Sequence, residues 1–206
     1  MMVRTAGLAV VLAVAVTFLS GVASAAETLK PGAEAPAFEL FGVDYRYHSL
    51  EGAAEARARV LIFTCNHCPV AVSYEDTLVA LGNEYQPKGI QFIAINTNPA
   101  DMVAADGFPQ MIERAKEKNL PYPYLYDETQ KVSRAYGATV TPHIFVVGPE
   151  GTILYEGAAD NRRREPNYLA DALDAILAGR PVPDASTAEF GCTVKYRPEP
   201  REAQGE

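Results

Sequence analysis

The sequence predicts an α/β domain in which a mixed central sheet is flanked by helices. Apolar runs of strand length alternate with segments whose apolar residues recur at helical spacing, and a later pair of runs flanks a tight turn. A strand–helix–strand unit with short links implies parallel pairing, whereas the tight turn implies an antiparallel pair. The chain has 206 residues and contains no internal repeat or linker, so a single folded domain is expected.

The predicted elements follow one another closely along the chain. Alternating apolar and polar residues predict an N-terminal hairpin of residues 38–40 and 45–47. Apolar runs predict buried strands at 60–63 and 90–95, and Pro69 begins a predicted helix that ends near Tyr85. The later predictions are a helix over 108–115, a strand at 124–126, a short helix over 129–136, a strand hairpin of 144–147 and 153–155, a helix over 169–177 and an edge strand within 190–196.

The first 25 residues have the pattern of a secretory signal peptide. Arg4 supplies a positive start, Leu8–Leu19 is apolar and uncharged, and Ala23-Ser24-Ala25 is a small-x-small cleavage signal. We therefore predict an exported protein, periplasmic or extracellular, that is cleaved before Ala26. The alternative is a retained membrane anchor, although the apolar stretch is shorter than the ~20 residues that a span needs.

Removal of residues 1–25 leaves an acidic domain. Only Arg4 is lost among the charged residues, so the net charge changes from −8 to −9. A domain of this charge repels nucleic acid and anionic membrane surfaces, which excludes both as expected partners. The predicted organisation is a signal peptide at 1–25, a domain at 26–180 and a C-terminal tail at 181–206 that contains Cys192.

The motif Cys65-Asn66-His67-Cys68-Pro69 directly follows the apolar run at 60–63. A strand that ends in two cysteines before a helix places a dithiol at the helix N-terminus, where unpaired N–H groups favour the thiolate. The two cysteines are close enough in sequence to form a disulfide with each other. Because so small a loop constrains the unfolded chain very little, such a disulfide is better explained by catalysis than by stability.

These motifs resemble the thioredoxin superfamily, on the branch of peroxiredoxin-like (AhpC/TSA-type) exported redoxins. The resemblance covers roughly residues 30–178, and its anchors are the Cys65–Pro69 motif and Thr141-Pro142 before a core strand. The segment 126–137 resembles the insert that exported reductases and peroxiredoxins carry, and 191–196 resembles a segment of an uncharacterised peroxiredoxin-like subgroup. The resemblance implies a thioredoxin-like fold with an N-terminal hairpin and this insert.

The resemblance also implies roles for individual residues. Cys65 would be the exposed, attacking cysteine, and Cys68 would resolve the mixed disulfide. Thr141-Pro142 would be a cis peptide bond beside the dithiol, with the Thr141 backbone free to pair with a substrate strand. His67 either lowers a thiol pKa or has no role.

Cys192 is the odd cysteine of the mature chain. It could be a small buried hydrophobe, a free thiol or a third redox partner of Cys65 or Cys68. We predict that it has no catalytic role.

The chain departs from the patterns of both relatives. Peroxiredoxins carry a proline and a threonine where this chain has Ala58 and Ile62, so no hydroxyl would orient a peroxide. Thioredoxins carry a buried acid where this chain has Arg59, so the proton acceptor for Cys68 is missing or comes from elsewhere. Thr64 stands where a tryptophan often precedes the motif.

We therefore predict a thiol–disulfide oxidoreductase that needs no bound cofactor or metal. Its partners would be protein thiols and disulfides, together with a redox donor or acceptor that the sequence does not identify. One alternative is an antioxidant thiol peroxidase, in which Cys65 is oxidised to a sulfenic acid and Cys68 condenses with it. Another is a copper-binding module that uses Cys65, Cys68 and His143, since thiolates and imidazole suit copper. For His143 we favour the simpler interpretation, an ordinary residue at the start of a strand, because a lone histidine there carries no ligand pattern.

Overall fold

The computed structural model of the protein describes residues 27–53, 55–162 and 167–198. The predicted signal peptide at 1–25 lies outside the described residues. Within the described ranges, every helix is too short or too polar to cross a membrane.

Nine strands and four α-helices make up the described chain. The strands are β1 (Glu39–Gly42), β2 (Tyr47–Ser49), β3 (Ala58–Thr64), β4 (Ile90–Asn96), β5 (Tyr124–Tyr126), β6 (Val140–Thr141), β7 (His143–Val147), β8 (Ile153–Gly157) and β9 (Cys192–Thr193). The helices are α1 (Pro69–Tyr85), α2 (Phe108–Glu117), α3 (Lys131–Tyr136) and α4 (Tyr168–Leu177). Each of the predicted strands and helices is present, with ends that differ by a few residues.

Seven strands form one mixed sheet in the order β2-β1-β5-β4-β3-β7-β8. The β3–β4 and β4–β5 pairs are parallel, and the β1–β2, β1–β5, β3–β7 and β7–β8 pairs are antiparallel. The parallel pairing of the first two core strands and the late antiparallel hairpin were both predicted from the sequence. The β7–β8 turn closes through Gly151, whose φ of 79° lies in the left-handed region that glycine tolerates.

Both faces of the sheet are covered, because consecutive residues of its central strand point to opposite sides. Val60 and Ile62 of β3 pack in the cluster that also contains buried residues of α1, α2 and α4. Leu61 and Phe63 pack in a second cluster with Tyr136 of α3 and with residues near the N-terminal hairpin. The predicted mixed sheet with helices on both faces is therefore confirmed.

The described part of the C-terminal tail, residues 181–198, packs along the domain. Strand β9 pairs antiparallel with β6, a two-residue strand that the sequence did not predict. Further along the domain, the amide of Glu156 donates to the Ala185 carbonyl, and that of Thr187 donates to the Glu156 carbonyl. The predicted edge strand at 190–196 is shortened to Cys192–Thr193.

The buried carboxylate of Glu156 ties together three distant segments. It accepts hydrogen bonds from Lys30 Nζ at 2.8 Å, from His143 Nε2 at 3.3 Å and from the Ser186 hydroxyl. Burial alone would raise its pKa, but the hydrogen bonds from His143, Lys30 and Ser186 outweigh burial and lower the pKa to about 2. The folded protein therefore strongly favours the ionised carboxylate.

This carboxylate predicts an acid-sensitive contribution to stability. Because the pKa in the folded state is lower than the ordinary value of 4.5, the contribution is complete above that value and is lost as the pH falls from there towards about 2. The Glu156→Gln variant should show a flatter dependence of unfolding free energy on pH over this window, as measured by urea unfolding. The exposed Glu84→Gln variant is the control, and an unchanged profile for Glu156→Gln would contradict the prediction.

Candidate active site

The candidate site lies at the carboxyl ends of the two longest parallel strands. Strands β3 and β4 end in register, with Thr64 opposite Asn96, so the loops that follow them meet at one edge of the sheet. The first loop carries the dithiol motif and the second carries Asp106. Thr141 and Pro142 lie directly before β7. Cys192 of the tail joins the site because β9 pairs with β6.

The disulfide in the structure joins Cys68 to Cys192, and Cys65 is a free thiol. The two bonded residues have Cα atoms 6.0 Å apart and are 124 residues apart in sequence. The structure thus differs from the expected Cys65–Cys68 bridge, and it pairs Cys192 with the predicted resolving cysteine. The local motif could not reveal this pairing, because only the docked tail brings Cys192 to it.

Cys68 is the cysteine that caps the N-terminus of α1. Its sulfur accepts a hydrogen bond from the Ala71 amide at 3.5 Å, and Pro69 occupies the first helical turn as predicted. The same sulfur lies 3.3 Å from the Thr141 carbonyl oxygen, to which a reduced Cys68 thiol can donate. The helix N-terminus favours the departure of Cys68 as a thiolate when its disulfide is opened, whereas the complete burial of Cys68 opposes it.

Cys65 is buried as well, but it lies outside helix α1. The prediction that it is exposed is wrong, because the residue is only 2% exposed. Burial, followed by the nearby negative charge of Asp106, raises the pKa of the Cys65 thiol to about 11. Its sulfur lies 3.2 Å from the Thr141 hydroxyl. Helix α1 begins at Pro69, four residues after Cys65, and hydrogen bonds from the backbone amides of Cys68 and His67 lower the pKa of Cys65 without offsetting burial and the charge of Asp106.

The raised pKa predicts slow alkylation of Cys65 in the folded, oxidised protein. The rate of reaction with iodoacetamide should rise about tenfold per pH unit up to about pH 11, because only the thiolate reacts. Mass spectrometry of the modified peptide gives the rate, and the denatured protein provides the control. A rate that levels off near the ordinary pKa of about 8.5 would contradict the prediction.

A buried carboxylate from the second loop, that of Asp106, holds the motif loop in place. Its Oδ1 accepts hydrogen bonds from the amides of Asn66 at 2.7 Å and His67 at 3.0 Å. Its Oδ2 lies 2.5 Å from His67 Nδ1 and accepts from the Asn98 side-chain amide at 3.0 Å. His67 therefore has a definite partner, and the loop that carries Cys65 is fixed by a residue 41 positions further along the chain.

Sequence reasoning missed Asp106. The available signal was a group of polar residues, Asn96, Asn98 and Asp106, directly after the second buried strand. The buried acid beside the motif is thus Asp106, which comes from another loop, whereas Arg59 stands at the position where thioredoxins carry an acid. Arg59 itself is buried and donates to the Gly148 carbonyl at 3.0 Å.

The Thr141-Pro142 peptide bond is cis, as the resemblance implies. The expectation that the Thr141 backbone would be free to pair is wrong, because Thr141 is opposite Cys192 in the β6–β9 pair. The tail of the chain thus occupies the place at which a substrate strand was expected.

The copper site proposed from the sequence is not assembled. His143 accepts a hydrogen bond from the Thr139 amide through Nδ1 and faces Glu156 through Nε2. Among the described residues, the group with metal-ligand atoms within 4.8 Å of one another is Cys65, His67 and Asp106. Two tetrahedral ligands about 2 Å from an ion lie roughly 3.3 Å apart. His67 Nδ1 and Asp106 Oδ2 are only 2.5 Å apart. The two side chains are therefore arranged for a hydrogen bond and not for metal binding.

The fold and the site together define the class of the protein. Parallel core strands end in a dithiol motif, a helix starts there, and a cis-proline lies beside the sulfurs, as in thioredoxin-like redoxins. The chain belongs to the AhpC/TSA family, whose profile matches residues 31–156. This membership confirms the resemblance that the sequence motifs indicate, and it places the protein among thiol-based redox enzymes.

Solved structures support the same assignment. An uncharacterised conserved protein from Geobacillus kaustophilus is 38% identical, covers 82% of this chain and 94% of its own, and has a TM-score of 0.78. A hypothetical protein from Sinorhizobium meliloti is 27% identical over 83% of this chain and 97% of its own, also with a TM-score of 0.78. The peroxidoxin BcpB of Mycobacterium tuberculosis shares the fold at 19% identity, over 73% of this chain and 97% of its own, with a TM-score of 0.58. Comparison with curated proteins found no significant match.

Proposed function

We propose that the protein is an exported thiol–disulfide oxidoreductase in which Cys68 is the shared sulfur of the reaction. The observation that carries this proposal is the position of Cys68. It caps α1, is bonded to Cys192, and lies three residues from the free thiol of Cys65. A sulfur at a helix N-terminus, with two possible disulfide partners in one site, is suited to reversible thiol–disulfide exchange.

The net reaction transfers two electrons between the protein and thiols of its substrates. In one direction, two substrate thiols reduce the protein disulfide, and the products are a substrate disulfide and two protein thiols. In the other direction, the reduced protein opens a substrate disulfide and forms its own. Cys65 takes part by internal exchange: its thiolate attacks Cys68, a Cys65–Cys68 disulfide forms, and Cys192 leaves as a thiolate that takes up a proton.

The substrates that we propose are proteins with accessible thiols or disulfides. The predicted export is consistent with this choice, because an oxidising compartment would permit a disulfide such as Cys68–Cys192 to persist. The acidic charge of the chain disfavours nucleic acids and anionic membranes as partners. The intact mass of the protein secreted from its host should correspond to a chain that begins at Ala26; a retained N-terminus would contradict export by cleavage.

An insulin-reduction assay tests the proposed activity. With dithiothreitol as the electron source, the protein should accelerate insulin precipitation, and Cys68→Ser should lower the rate at least about 100-fold because no protein disulfide can then involve Cys68. The Ser73→Ala variant, which changes an exposed side chain on the same helix, should keep full activity. Wild-type protein that gives no acceleration, or a fully active Cys68→Ser variant, would contradict the proposal.

Thiol peroxidase activity is the second candidate, and one contact favours it. The Thr141 hydroxyl lies 3.2 Å from Cys65 and could supply the hydroxyl that Ile62 lacks. The raised pKa of Cys65 disfavours this chemistry, since the thiolate is the form that attacks peroxide. Consumption of hydrogen peroxide by the reduced protein, lost in Cys65→Ser but retained in Cys192→Ser, would favour the peroxidase.

A further inference from the structure

The three sulfurs of the site differ in their access to solvent. Cys68 is fully buried, Cys65 is 2% exposed, and Cys192 is partly exposed on the short strand β9. The cavity that Cys65 lines has a volume of only 20 Å³, which is room for about one water molecule. In this conformation, Cys192 is therefore the most accessible of the three cysteines to an external thiol.

The strand that carries Cys192 also pairs with the backbone of Thr141, where the family resemblance predicts that a substrate strand binds. Cys192 lies opposite Thr141, the residue before the cis-proline, in an antiparallel pair. Its sulfur is bonded to a cysteine of the motif, as the sulfur of a substrate would be in a mixed disulfide. The tail thus holds a cysteine of the same chain in the geometry expected of a trapped substrate.

We propose that Cys192 is a catalytic residue, the sulfur at which external thiols and disulfides exchange, and that it relays the exchange to Cys68. This inference rests on the oxidoreductase function proposed above and identifies where that function meets its partners. It reverses the expected order, in which the first cysteine of the motif is the exposed one.

The proposed exchange balances without a further reactant. An external thiolate attacks the Cys192 sulfur, the bond between Cys192 and Cys68 breaks, and Cys68 leaves as a thiolate at the N-terminus of α1. A second external thiolate then attacks the external sulfur of the mixed disulfide, which releases an external disulfide and the Cys192 thiolate. Two external thiols are oxidised, one protein disulfide is reduced, and two protons pass from the external thiols to solvent or to the new protein thiolates.

Contacts on the C-terminal side of Cys192 hold the tail in place without the disulfide. The Val194 amide donates to the Thr139 carbonyl at 3.0 Å, and the Lys195 amide donates to the Asn98 side chain at 2.8 Å. The side chain of Gln130 donates to the Lys195 carbonyl and accepts from the Arg197 amide. Opening of the disulfide therefore leaves Cys192 beside Cys68, and the high local concentration favours rapid closure.

Glutathione provides the test, because its mixed disulfides can be located by peptide mass mapping. Oxidised wild-type protein mixed with reduced glutathione and quenched in acid should carry the first adduct on Cys192. The Cys68→Ser variant mixed with glutathione disulfide should be modified at Cys192 roughly tenfold or more faster than at Cys65, because Cys65 is buried and Cys192 is partly exposed.

Turnover supplies the second arm of the test. In the insulin assay, Cys192→Ser should reduce the rate at least about tenfold, whereas the neighbouring exposed variant Thr193→Ser should keep it. An adduct first formed on Cys65 or Cys68, or full activity of Cys192→Ser, overturns the role of Cys192 while the activity of the wild type still supports the proposed function. If the proposed function itself is wrong, the wild-type protein does not reduce insulin at all, so the two failures can be told apart.

Discussion

Replacement of Asp106 by alanine is expected to destabilise the protein and to disorganise the loop that carries Cys65. The buried carboxylate accepts hydrogen bonds from the amides of Asn66 and His67 and from the side chain of Asn98. Removal of one buried acceptor leaves several donors unsatisfied, so the unfolding free energy should fall by about 3 to 5 kcal/mol. Urea unfolding at neutral pH measures this loss.

The same position offers a test that separates charge from packing. The Asp106→Asn variant keeps the size of the side chain but removes the negative charge that contributes to the raised pKa of Cys65. The pKa of the Cys65 thiol should therefore fall, and its alkylation should become faster at neutral pH although the protein is less stable. The exposed Asp76→Asn variant is the control and should change neither stability nor alkylation appreciably. An unchanged alkylation profile in Asp106→Asn would show that the charge of Asp106 does not act on Cys65.

The sequence was sufficient to predict the fold because most of its signals are local. An apolar run of strand length, such as Val60–Phe63, indicates a buried strand, and apolar residues at helical spacing after Pro69 indicate a helix. The order of these elements and the short links between them then leave few possible topologies. Strand β6 was missed because two residues, Val140 and Thr141, carry no periodicity, and only pairing with the tail makes them a strand.

The site was only partly predictable, because the interactions that decide its chemistry join residues distant in sequence. The motif at 65–69 identified the two clustered cysteines and the helix start. The exposure of Cys65 and its tendency to ionise depend on what covers it, which the motif does not contain. Asp106 lies 41 residues after Cys65, and Cys192 lies 124 residues after Cys68. The family resemblance assigns roles by motif position, so it predicted an exposed Cys65, whereas Cys65 is buried and Cys192 is the partly exposed cysteine of the site.

Replacement of Gly191 by alanine is expected to break the pairing between Cys68 and Cys192. A Cβ atom at this position would lie 2.1 Å from the carbonyl oxygen of Thr141 and 2.6 Å from its carbonyl carbon. Because the obstacle is backbone beside a buried proline, no side chain can rotate to relieve it, and β9 must move away by about 1 Å or more. The Cα atoms of the two bonded cysteines, now 6.0 Å apart, would then approach the upper limit of about 6.8 Å for a disulfide.

Peptide mapping under non-reducing conditions measures the outcome for Gly191→Ala. The fraction of Cys68–Cys192 disulfide should fall at least about fivefold, and Cys68 should be found reduced or bonded to Cys65, since the neighbouring thiol becomes the better-placed partner. The Gly52→Ala variant is the control, because its Cβ would meet only the Ser49 hydroxyl, at 3.2 Å, which can rotate. Full retention of the Cys68–Cys192 bond in Gly191→Ala would contradict the prediction. It would show that the tail tolerates displacement and that the close fit of β9 against Thr141 does not determine the disulfide partner of Cys68.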